Sequence, residues 1–298
     1  MLMPYQGTFE ESEGTPTAVS AFDEAERRMW AGRAEAFRDS FAKLCAHTAP
    51  ALLDAAAAGP GIRLLDVGTG SGTVAAAACA RGARVTAVDA EPGMVALARR
   101  AAPTADVHVA VLPDLPFGSG TFDAVVANFV INHTGRPAAA VAALRDATRP
   151  SGRVAATIWC SPVGAGHELL DRAFDESGVE RPADLPRLDP ADDFPRTAEG
   201  FAALFKDAGL DEVSCEPLAW DHVAGPEEWW GGAASGVGLI GQSIGRQDPA
   251  SIERIKVAYD RLVPQYAGAD GQLVLRYHAL LASGRVASGM NGLVVAGR

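Results

Sequence analysis

Residues 64–72 read LLDVGTGSG, and this stretch decides the fold of a chain of 298 residues. An apolar run enters a turn with three glycines at alternate positions, and the small side chains of residues 73–80 follow. Glycine lets the backbone adopt positive φ angles and approach a ligand closely. A helix that begins after such a turn presents free N–H groups to that ligand. The stretch therefore predicts a buried strand, a ligand-binding turn and a closely packed helix.

Strands and helices alternate outward from this turn. Apolar runs predict a first strand at 62–67 and further strands at 84–88, 107–111, 122–129 and 153–159. Helices are predicted between them, at 73–80, 92–101 and 137–148. This alternation favours a parallel sheet covered by helices on both faces. Sheets of this kind bind ligands at the carboxyl ends of their strands.

The rest of the sequence divides the chain into five predicted parts. They are a flexible arm at 1–20, lid helices at 21–58, a ligand-binding core at 59–224, a helical cap at 225–284 and a closing segment at 285–298. The second half of the core is predicted to hold helices at 167–174 and 198–208 and a strand at 212–220. The last strand of the chain is predicted at 292–296, so the cap would be inserted before it and lie over the strand ends.

The composition excludes several classes of partner. Hydrophobic residues make up 48% of the chain and charged residues 21%, which is sufficient for a large core. A net charge of −11 makes the protein a poor counter-ion for nucleic acid. No apolar run reaches the roughly 20 residues of a membrane-spanning helix. Four isolated cysteines predict neither disulfides nor a metal site, and the absence of an apolar leader predicts a cytoplasmic location.

Two carboxylates follow neighbouring strands of the predicted sheet. Asp66 lies near the end of the first strand, and Asp89 comes at the end of the second, where an acid suits the hydroxyls of a ribose. A dinucleotide-binding G-x-G-x-x-G turn is the competing interpretation, but Thr73 stands where that pattern, counted from Gly68, requires its last glycine. Asp66 would also repel phosphates. The pair therefore favours a cationic ligand that lacks phosphate.

Several stretches together resemble the class I S-adenosylmethionine-dependent methyltransferases, specifically the small-molecule branch of the ubiquinone/menaquinone-biosynthesis type (type 11). They are the turn at 64–72, VDA at 88–90 with Met94, LPF at 115–117, FDAVV at 122–126 and RPSGR at 149–153. The resemblance covers roughly residues 22–159. It implies a Rossmann-like, doubly wound α/β fold with a mostly parallel seven-stranded sheet, an antiparallel last strand and a helical cap inserted before that strand. It also implies S-adenosylmethionine as cofactor and S-adenosylhomocysteine as product.

The resemblance assigns cofactor-binding positions in this sequence. Gly68, Thr69, Gly70 and Gly72 would form the turn under the methionine part, with Asp66 nearby and Arg33 paired with the cofactor's carboxylate. Asp89 would hold the ribose, and Ala90 and Met94 would flank the adenine. The family usually has an acid where Val111 stands here, so adenine recognition would use the backbone of Leu112. Asn128 and Phe129 would approach the methionine end.

His133 is the candidate catalytic residue, because it follows the fourth strand near the expected position of the reactive methyl group. A neutral imidazole could accept the proton of a substrate hydroxyl as general base, or the side chain could simply cap a turn and shape the pocket. Substrate-binding candidates are His167, Trp30, Trp159 and one of the adjacent residues Trp229 and Trp230. Neighbouring helical side chains point about 100° apart, so only one of these two rings is expected to face the cavity.

The resulting hypothesis is methyl transfer to a small metabolite, aromatic or polyketide-like, with oxygen favoured over carbon or nitrogen. The NFVI sequence at 128–131 lacks the motif of nucleobase-methylating enzymes, which again argues against nucleic acid. Three alternatives stay open. They are a same-fold enzyme with a pericyclic or elimination reaction, an NAD-dependent dehydrogenase, and a non-enzymatic binding module. The expected partner is a small molecule, with no nucleic acid, membrane or metal, and a homodimer stays open as the assembly.

Overall fold

Seven strands form one mixed sheet in the computed structural model, which describes residues 20–162 and 164–288. The strands are β1 (Arg63–Val67), β2 (Arg84–Asp89), β3 (Asp106–Val109), β4 (Phe122–Asn128), β5 (Thr148–Trp159), β6 (Leu210–Ala224) and β7 (Leu273–Val286). Their order across the sheet is β3-β2-β1-β4-β5-β7-β6. Strand β7 runs antiparallel to both of its neighbours, and the pairs among β1 to β5 are parallel. The predicted α/β class, with a mostly parallel sheet of seven strands, is confirmed.

Twelve α-helices in the described ranges cover this sheet and its carboxyl edge. They are α1 (Ala21–Trp30), α2 (Ala34–Asp39), α3 (Phe41–Cys45), α4 (Ala49–Ala55), α5 (Thr73–Ala80), α6 (Pro92–Ala101), α7 (Pro137–Ala147), α8 (Ala165–Glu176), α9 (Ala198–Asp207), α10 (Pro226–Ala234), α11 (Gly238–Gly245) and α12 (Pro249–Leu262). None of these helices has the length and apolarity needed to cross a membrane.

Three apolar clusters account for the layering. Helices α4, α5 and α6 pack on one face of the sheet around Leu64, Val85 and Val126. Helices α7 and α9 pack on the other face around Val125 and Phe205. Helices α8, α10, α11 and α12 share a separate core beside β7. The parallel strands are therefore buried on both faces, which explains their continuous apolar sequence.

The structure differs from the predicted helical cap over 225–284 in the last part of that range. Helices α10, α11 and α12 are present, but residues 273–284 belong to β7. Along this strand Leu273, Leu275, Tyr277 and Ala279 are buried at alternate positions, as expected for a strand with one face on a core. β7 lies between β5 and β6, and its backbone groups hydrogen-bond to both strands. The predicted strand at 292–296 and residues 1–19 of the predicted arm lie outside the described residues.

Gly72 shapes the junction between the glycine turn and α5. Its φ is +88°, and a Cβ added there would lie 2.7 Å from Ala98 Cα and 3.1 Å from Ala98 Cβ. A side chain at this position would therefore collide with helix α6. The left-handed backbone conformation would also strain any residue other than glycine. The residue allows α5 and α6 to pack closely, which agrees with the short side chains along α5.

We expect Gly72→Ala to lower the free energy of unfolding by about 2–4 kcal/mol, because backbone strain and overpacking add at this position. Urea denaturation would measure the loss. Gly61→Ala is the matched control, since Gly61 also has a positive φ, +82°, but nothing lies within 4 Å of an added Cβ. Equal losses in the two variants would contradict the close-packing role of Gly72.

Candidate functional site

A cavity of about 520 Å³ opens at the carboxyl ends of β1, β2, β4 and β5. Its floor is formed by the glycine turn and by residues 89–92, 110–112 and 128–130. Helices α1, α2 and α3 and the start of α11 form the opposite wall. The volume lies within the range of small-molecule sites. The fold therefore gathers the motifs of the sequence into one pocket at the expected edge of the sheet.

The glycine turn lies tightly between two walls of this cavity. A Cβ on Gly68, where φ is +67°, would stand 2.3 Å from Val130 Cγ2. A Cβ on Gly70, where φ is +55°, would stand 3.2 Å from the Phe37 ring. Both positions need glycine because of their conformation and because of their neighbours. The missing side chains therefore let Val130 and Phe37 pack directly against the turn at the cavity.

Asp66 provides an unpartnered buried carboxylate oxygen in the cavity wall. The residue is 1% exposed, and its Oδ2 accepts a hydrogen bond of 2.7 Å from Thr69 Oγ1. Its Oδ1 is buried and has no hydrogen-bond partner among the described residues. Burial raises the pKa of Asp66 to about 7, and the charge of Asp89 adds to the rise. The Thr69 hydroxyl lowers the pKa, as does the Ala75 N–H, although this N–H falls outside hydrogen-bond geometry. The site fits a ligand with a positively charged N–H donor.

Asp89 connects the end of β2 to the glycine turn. Its Oδ2 accepts from the backbone N–H of Gly70 at 2.8 Å, and its Oδ1 accepts from the N–H of Glu91 at 3.0 Å. Burial raises the pKa of Asp89 despite these hydrogen bonds. Each oxygen retains acceptor capacity. Asp89 therefore orders the turn and offers a carboxylate that suits a pair of ligand hydroxyls.

The neighbouring part of the cavity lining is mostly apolar. It includes Ala90, Met94, Val111 and Leu112. Glu91 caps α6 by accepting from the N–H of Met94 at 2.7 Å, which holds the start of this helix in place. This part of the lining suits a flat, largely apolar ring.

Asn128 and Phe129 line the cavity at the end of β4, but they are held differently. Asn128 Oδ1 accepts from Thr48 Oγ1 at 2.7 Å and from Thr157 Oγ1 at 2.6 Å. Its Nδ2 donates to the Cys45 carbonyl at 3.1 Å. The Asn128 amide therefore ties the N-terminal helices to the core. Phe129 has φ of +57°, a conformation that non-glycine residues rarely adopt outside functional sites.

His133 is held by a residue of α1. Its Nδ1 lies 2.9 Å from Glu26 Oε2, and the Trp30 indole N–H donates to the same oxygen at 3.2 Å. The Trp30 and His133 rings contact each other edge to face, with centroids 5.4 Å apart. All three side chains line the cavity. The imidazole is thus held at Nδ1 by Glu26 and on one side by the Trp30 ring.

His167 lies in an aromatic wall beyond Phe129. Trp159 stacks on Phe129 with ring centroids 3.8 Å apart, and its ring also contacts His167. His167 Nδ1 lies 3.0 Å from the Tyr277 hydroxyl, and burial lowers the pKa of His167. This wall combines ring faces with one neutral imidazole, so it suits a planar ligand that carries a hydrogen-bonding group.

Four predicted site residues do not line the cavity, and these predictions are corrected. Gly72 belongs to the turn but faces α6. Arg33 donates to the carbonyl oxygens of Arg28 and Ala31, so its guanidinium is turned away. Trp229 is 1% exposed and donates its indole N–H to the Gly166 carbonyl. Trp230 is 8% exposed and packs on Tyr259. Both tryptophans lie in the core around α10, because that helix is covered on both sides by other elements.

Other cavity residues were missed by the sequence analysis. They are chiefly Glu26, Arg27, Phe37, Phe41, Glu91 and the segment 237–240. Phe37 and Phe41 stand four residues apart within the predicted lid helices, and Glu91 comes two residues after Asp89, so a signal existed for these three. No sequence signal marked Glu26 and Arg27, because their place in the cavity depends on how α1 docks. Within the described ranges, no three His, Cys, Asp or Glu side chains lie close enough to hold a metal ion.

We expect Asp66→Asn to stabilise the ligand-free protein at pH 8 by about 2–4 kcal/mol. The native state binds more protons at Asp66 than the unfolded chain between pH 4 and 7, so stability contributed by this group falls as the pH rises through that window. The gain should therefore be large at pH 8 and vanish near pH 4. Urea denaturation at both pH values would measure it, with the exposed Asp192→Asn as control. A destabilised variant at pH 8 would contradict the unpartnered carboxylate.

The sequence matches known methyltransferases over its central part. Residues 65–156 match the family model described as a methyltransferase domain. A demethylmenaquinone methyltransferase of Beutenbergia cavernae is 35% identical over 120 residues, which are 40% of this chain and 50% of that protein. A ubiquinone biosynthesis O-methyltransferase of Xanthomonas campestris is 36% identical over 98 residues, 31% of this chain and 41% of that protein. The chain spans about half the length of the first of these relatives.

Solved structures share the fold at low sequence identity. The YcgJ protein of Bacillus subtilis aligns with a TM-score of 0.52 and 16% identity over 82% of this chain and 99% of that chain. Phosphoethanolamine N-methyltransferase 2 of Haemonchus contortus, solved with phosphomonomethylethanolamine and S-adenosylhomocysteine, aligns with a TM-score of 0.52 and 16% identity over 90% of this chain and 61% of that chain. These likenesses concern the fold alone.

Proposed function

We propose that this chain, which contains a class I methyltransferase domain, moves the methyl group of S-adenosylmethionine to an oxygen of a small aromatic or polyketide-like acceptor. The observation that carries the proposal is Asp66, which lines the cavity beside the glycine turn and whose buried Oδ1 has no hydrogen-bond partner among the described residues. A movement of this side chain toward the cavity would let an α-ammonium group bind the oxygen, and the charge of that group would remove the cost of the buried carboxylate. When bound, the cofactor supplies an electrophilic methyl group on a sulfonium.

The other cofactor positions fit the same ligand. Asp89 is available to the ribose hydroxyls, and the apolar lining at Met94 and Leu112 suits the adenine ring. Arg27 lines the cavity and replaces Arg33 as the candidate partner of the cofactor's carboxylate. Asn128 would contribute only packing, because its amide is already hydrogen-bonded to Thr48, Thr157 and Cys45.

The charge around the cavity supports a cofactor without phosphate groups. Among the described residues one cationic side chain, Arg27, lines the cavity. The acids that line it are Asp23, Glu26, Asp66, Asp89 and Glu91. This excess of acids would repel the pyrophosphate of a dinucleotide. It therefore disfavours the dehydrogenase alternative.

The walls beyond the cofactor positions support a planar acceptor with hydroxyl groups. Trp30, Phe41 and Trp159 provide ring faces, and such surfaces bind flat apolar groups well. His133 would take the proton of the reacting hydroxyl through Nε2, and His167 would hydrogen-bond a second polar group. One cavity of about 520 Å³ must hold both molecules, so the acceptor is small.

Incubation of the protein with S-adenosylmethionine and a panel of small phenols, hydroquinones and aromatic amines tests the proposal. We expect the methyl ether of a phenol, heavier than its precursor by one CH₂, and an equal amount of S-adenosylhomocysteine, both detected by mass spectrometry. The ¹³C chemical shift of the new methyl group would distinguish transfer to oxygen from transfer to a ring carbon. A product isomeric with its precursor would instead support the pericyclic alternative. Methylation confined to the amines would contradict transfer to oxygen.

A further inference from the structure

Glu26 is the buried member of a hydrogen-bonded pair with His133. No sequence motif indicates this pair. Glu26 is 8% exposed, and its Oε2 lies 2.9 Å from His133 Nδ1 and 3.2 Å from Trp30 Nε1. A carboxylate can only accept hydrogen bonds, so the nitrogen that faces it carries a proton. His133 Nε2 has no hydrogen-bond partner among the described residues and is the nitrogen left for a ligand.

We propose that Glu26 is a positioning residue that fixes His133 in the Nδ1–H tautomer, so that the lone pair of Nε2 faces the acceptor hydroxyl. The proposal rests on the proposed function, because it assigns a partner to the base of that reaction. A general base must present an unprotonated nitrogen to the proton that it accepts, and a third group that binds its other nitrogen sets this arrangement.

The pair joins two separate parts of the molecule. Glu26 lies on α1, which covers the cavity, whereas His133 lies on the core after β4. A second contact fixes the same helix to the same loop, since Asp23 Oδ1 accepts from the backbone N–H of Gly135 at 2.7 Å. Ser20 caps α1 at this point, and its Oγ accepts from the Asp23 N–H at 3.0 Å. The base is therefore correctly set only when α1 is docked over the cavity.

Gly135 offers a way to disturb this docking without altering the pair itself. A Cβ on Gly135 would lie 2.0 Å from Ser20 Oγ and 2.7 Å from Asp23 Oδ2. Gly135→Ala must therefore displace the side chains of Ser20 and Asp23, which cap α1 and hold it to this loop. Glu26, Trp30 and His133 keep their chemical groups in this variant.

Long-range ¹H–¹⁵N NMR spectra of histidine-labelled protein report the tautomer of His133 directly, with His133→Gln identifying its signals. We expect the Nδ1–H form to dominate in the neutral imidazole of the wild type. Glu26→Leu removes the acceptor and should reduce the ratio of Nδ1–H to Nε2–H by about tenfold. Glu26→Gln keeps a carbonyl acceptor and should retain part of the preference. Gly135→Ala should shift the ratio in the same direction as Glu26→Leu.

Two controls separate this proposal from the function on which it rests. Glu24→Leu makes the same change at an exposed position of α1, where the acid pairs loosely with Arg28 at 3.7 Å, and should leave the ratio unchanged. Calorimetric titration with S-adenosylhomocysteine, repeated on each variant, checks that the cofactor site is folded. Failure of the wild type to bind this nucleoside would overturn the proposed function. A wild-type Nε2–H tautomer, or an unchanged ratio in Glu26→Leu, would overturn the role of Glu26 alone.

Discussion

Asp89→Ala is expected to weaken the binding of S-adenosylhomocysteine by about 100-fold or more, since it removes charge-assisted hydrogen bonds worth about 1.5–3 kcal/mol each. Two effects combine in this variant. The ribose hydroxyls lose their acceptor, and the Gly70 N–H loses the 2.8 Å hydrogen bond that shapes the turn. Isothermal titration calorimetry would measure the change in affinity.

A matched substitution distinguishes this effect from a general loss of acidic charge. Asp211 is an exposed acid of the edge strand β6, far along the sheet from the glycine turn. Asp211→Ala should bind the nucleoside as the wild type does. An affinity for Asp89→Ala within threefold of the wild type would show that Asp89 does not hold the ribose.

His133→Ala is expected to lower kcat for transfer to a phenolic acceptor by about 10²–10⁴-fold, the usual contribution of a general base. The KM for S-adenosylmethionine should stay within a few-fold, because the cofactor positions at Asp66 and Asp89 are unchanged. Steady-state kinetics with the phenol identified from the panel would provide both values. Such a split would show that His133 acts on the reaction and not on cofactor binding.

His167→Ala is the matched comparison for this prediction. It removes the second imidazole of the cavity, which we place at the acceptor and not at the transferred proton. The variant should raise the KM for the phenol more than it lowers kcat. Full turnover by His133→Ala would contradict the assignment of the base and leave His133 as a residue that shapes the pocket.

The features that sequence reasoning predicted correctly depend on local patterns. The glycine turn, Asp66 and Asp89 stand at fixed points of the first two strand–helix units, and strand direction alone brings them to one edge. The parallel strands are recognisable because both of their faces are buried. Helix α6 begins and ends where Pro92 and the apolar spacing predicted, and α5 fills the range predicted for it.

The features that it missed depend on how distant elements dock. Strand β7 follows three helices and contains polar residues such as Arg276 and His278, so its alternation was hidden within an apparently helical cap. The orientation of Trp229 depends on the elements that cover α10, and its indole N–H finds a backbone partner in α8. Glu26 becomes part of the site only because α1 crosses the mouth of the cavity beside His133. The spacing of residues in the sequence does not indicate a contact between elements that are so far apart in the chain.

A crystal structure of the protein with S-adenosylhomocysteine tests the central claim most directly. We expect the α-amino nitrogen within about 2.7–3.2 Å of Asp66 Oδ1, the ribose hydroxyls on Asp89 and the adenine against Met94 and Leu112. Density for the nucleoside outside this cavity would contradict the proposed cofactor site. So would a structure in which NAD binds in the cavity with its pyrophosphate on the glycine turn.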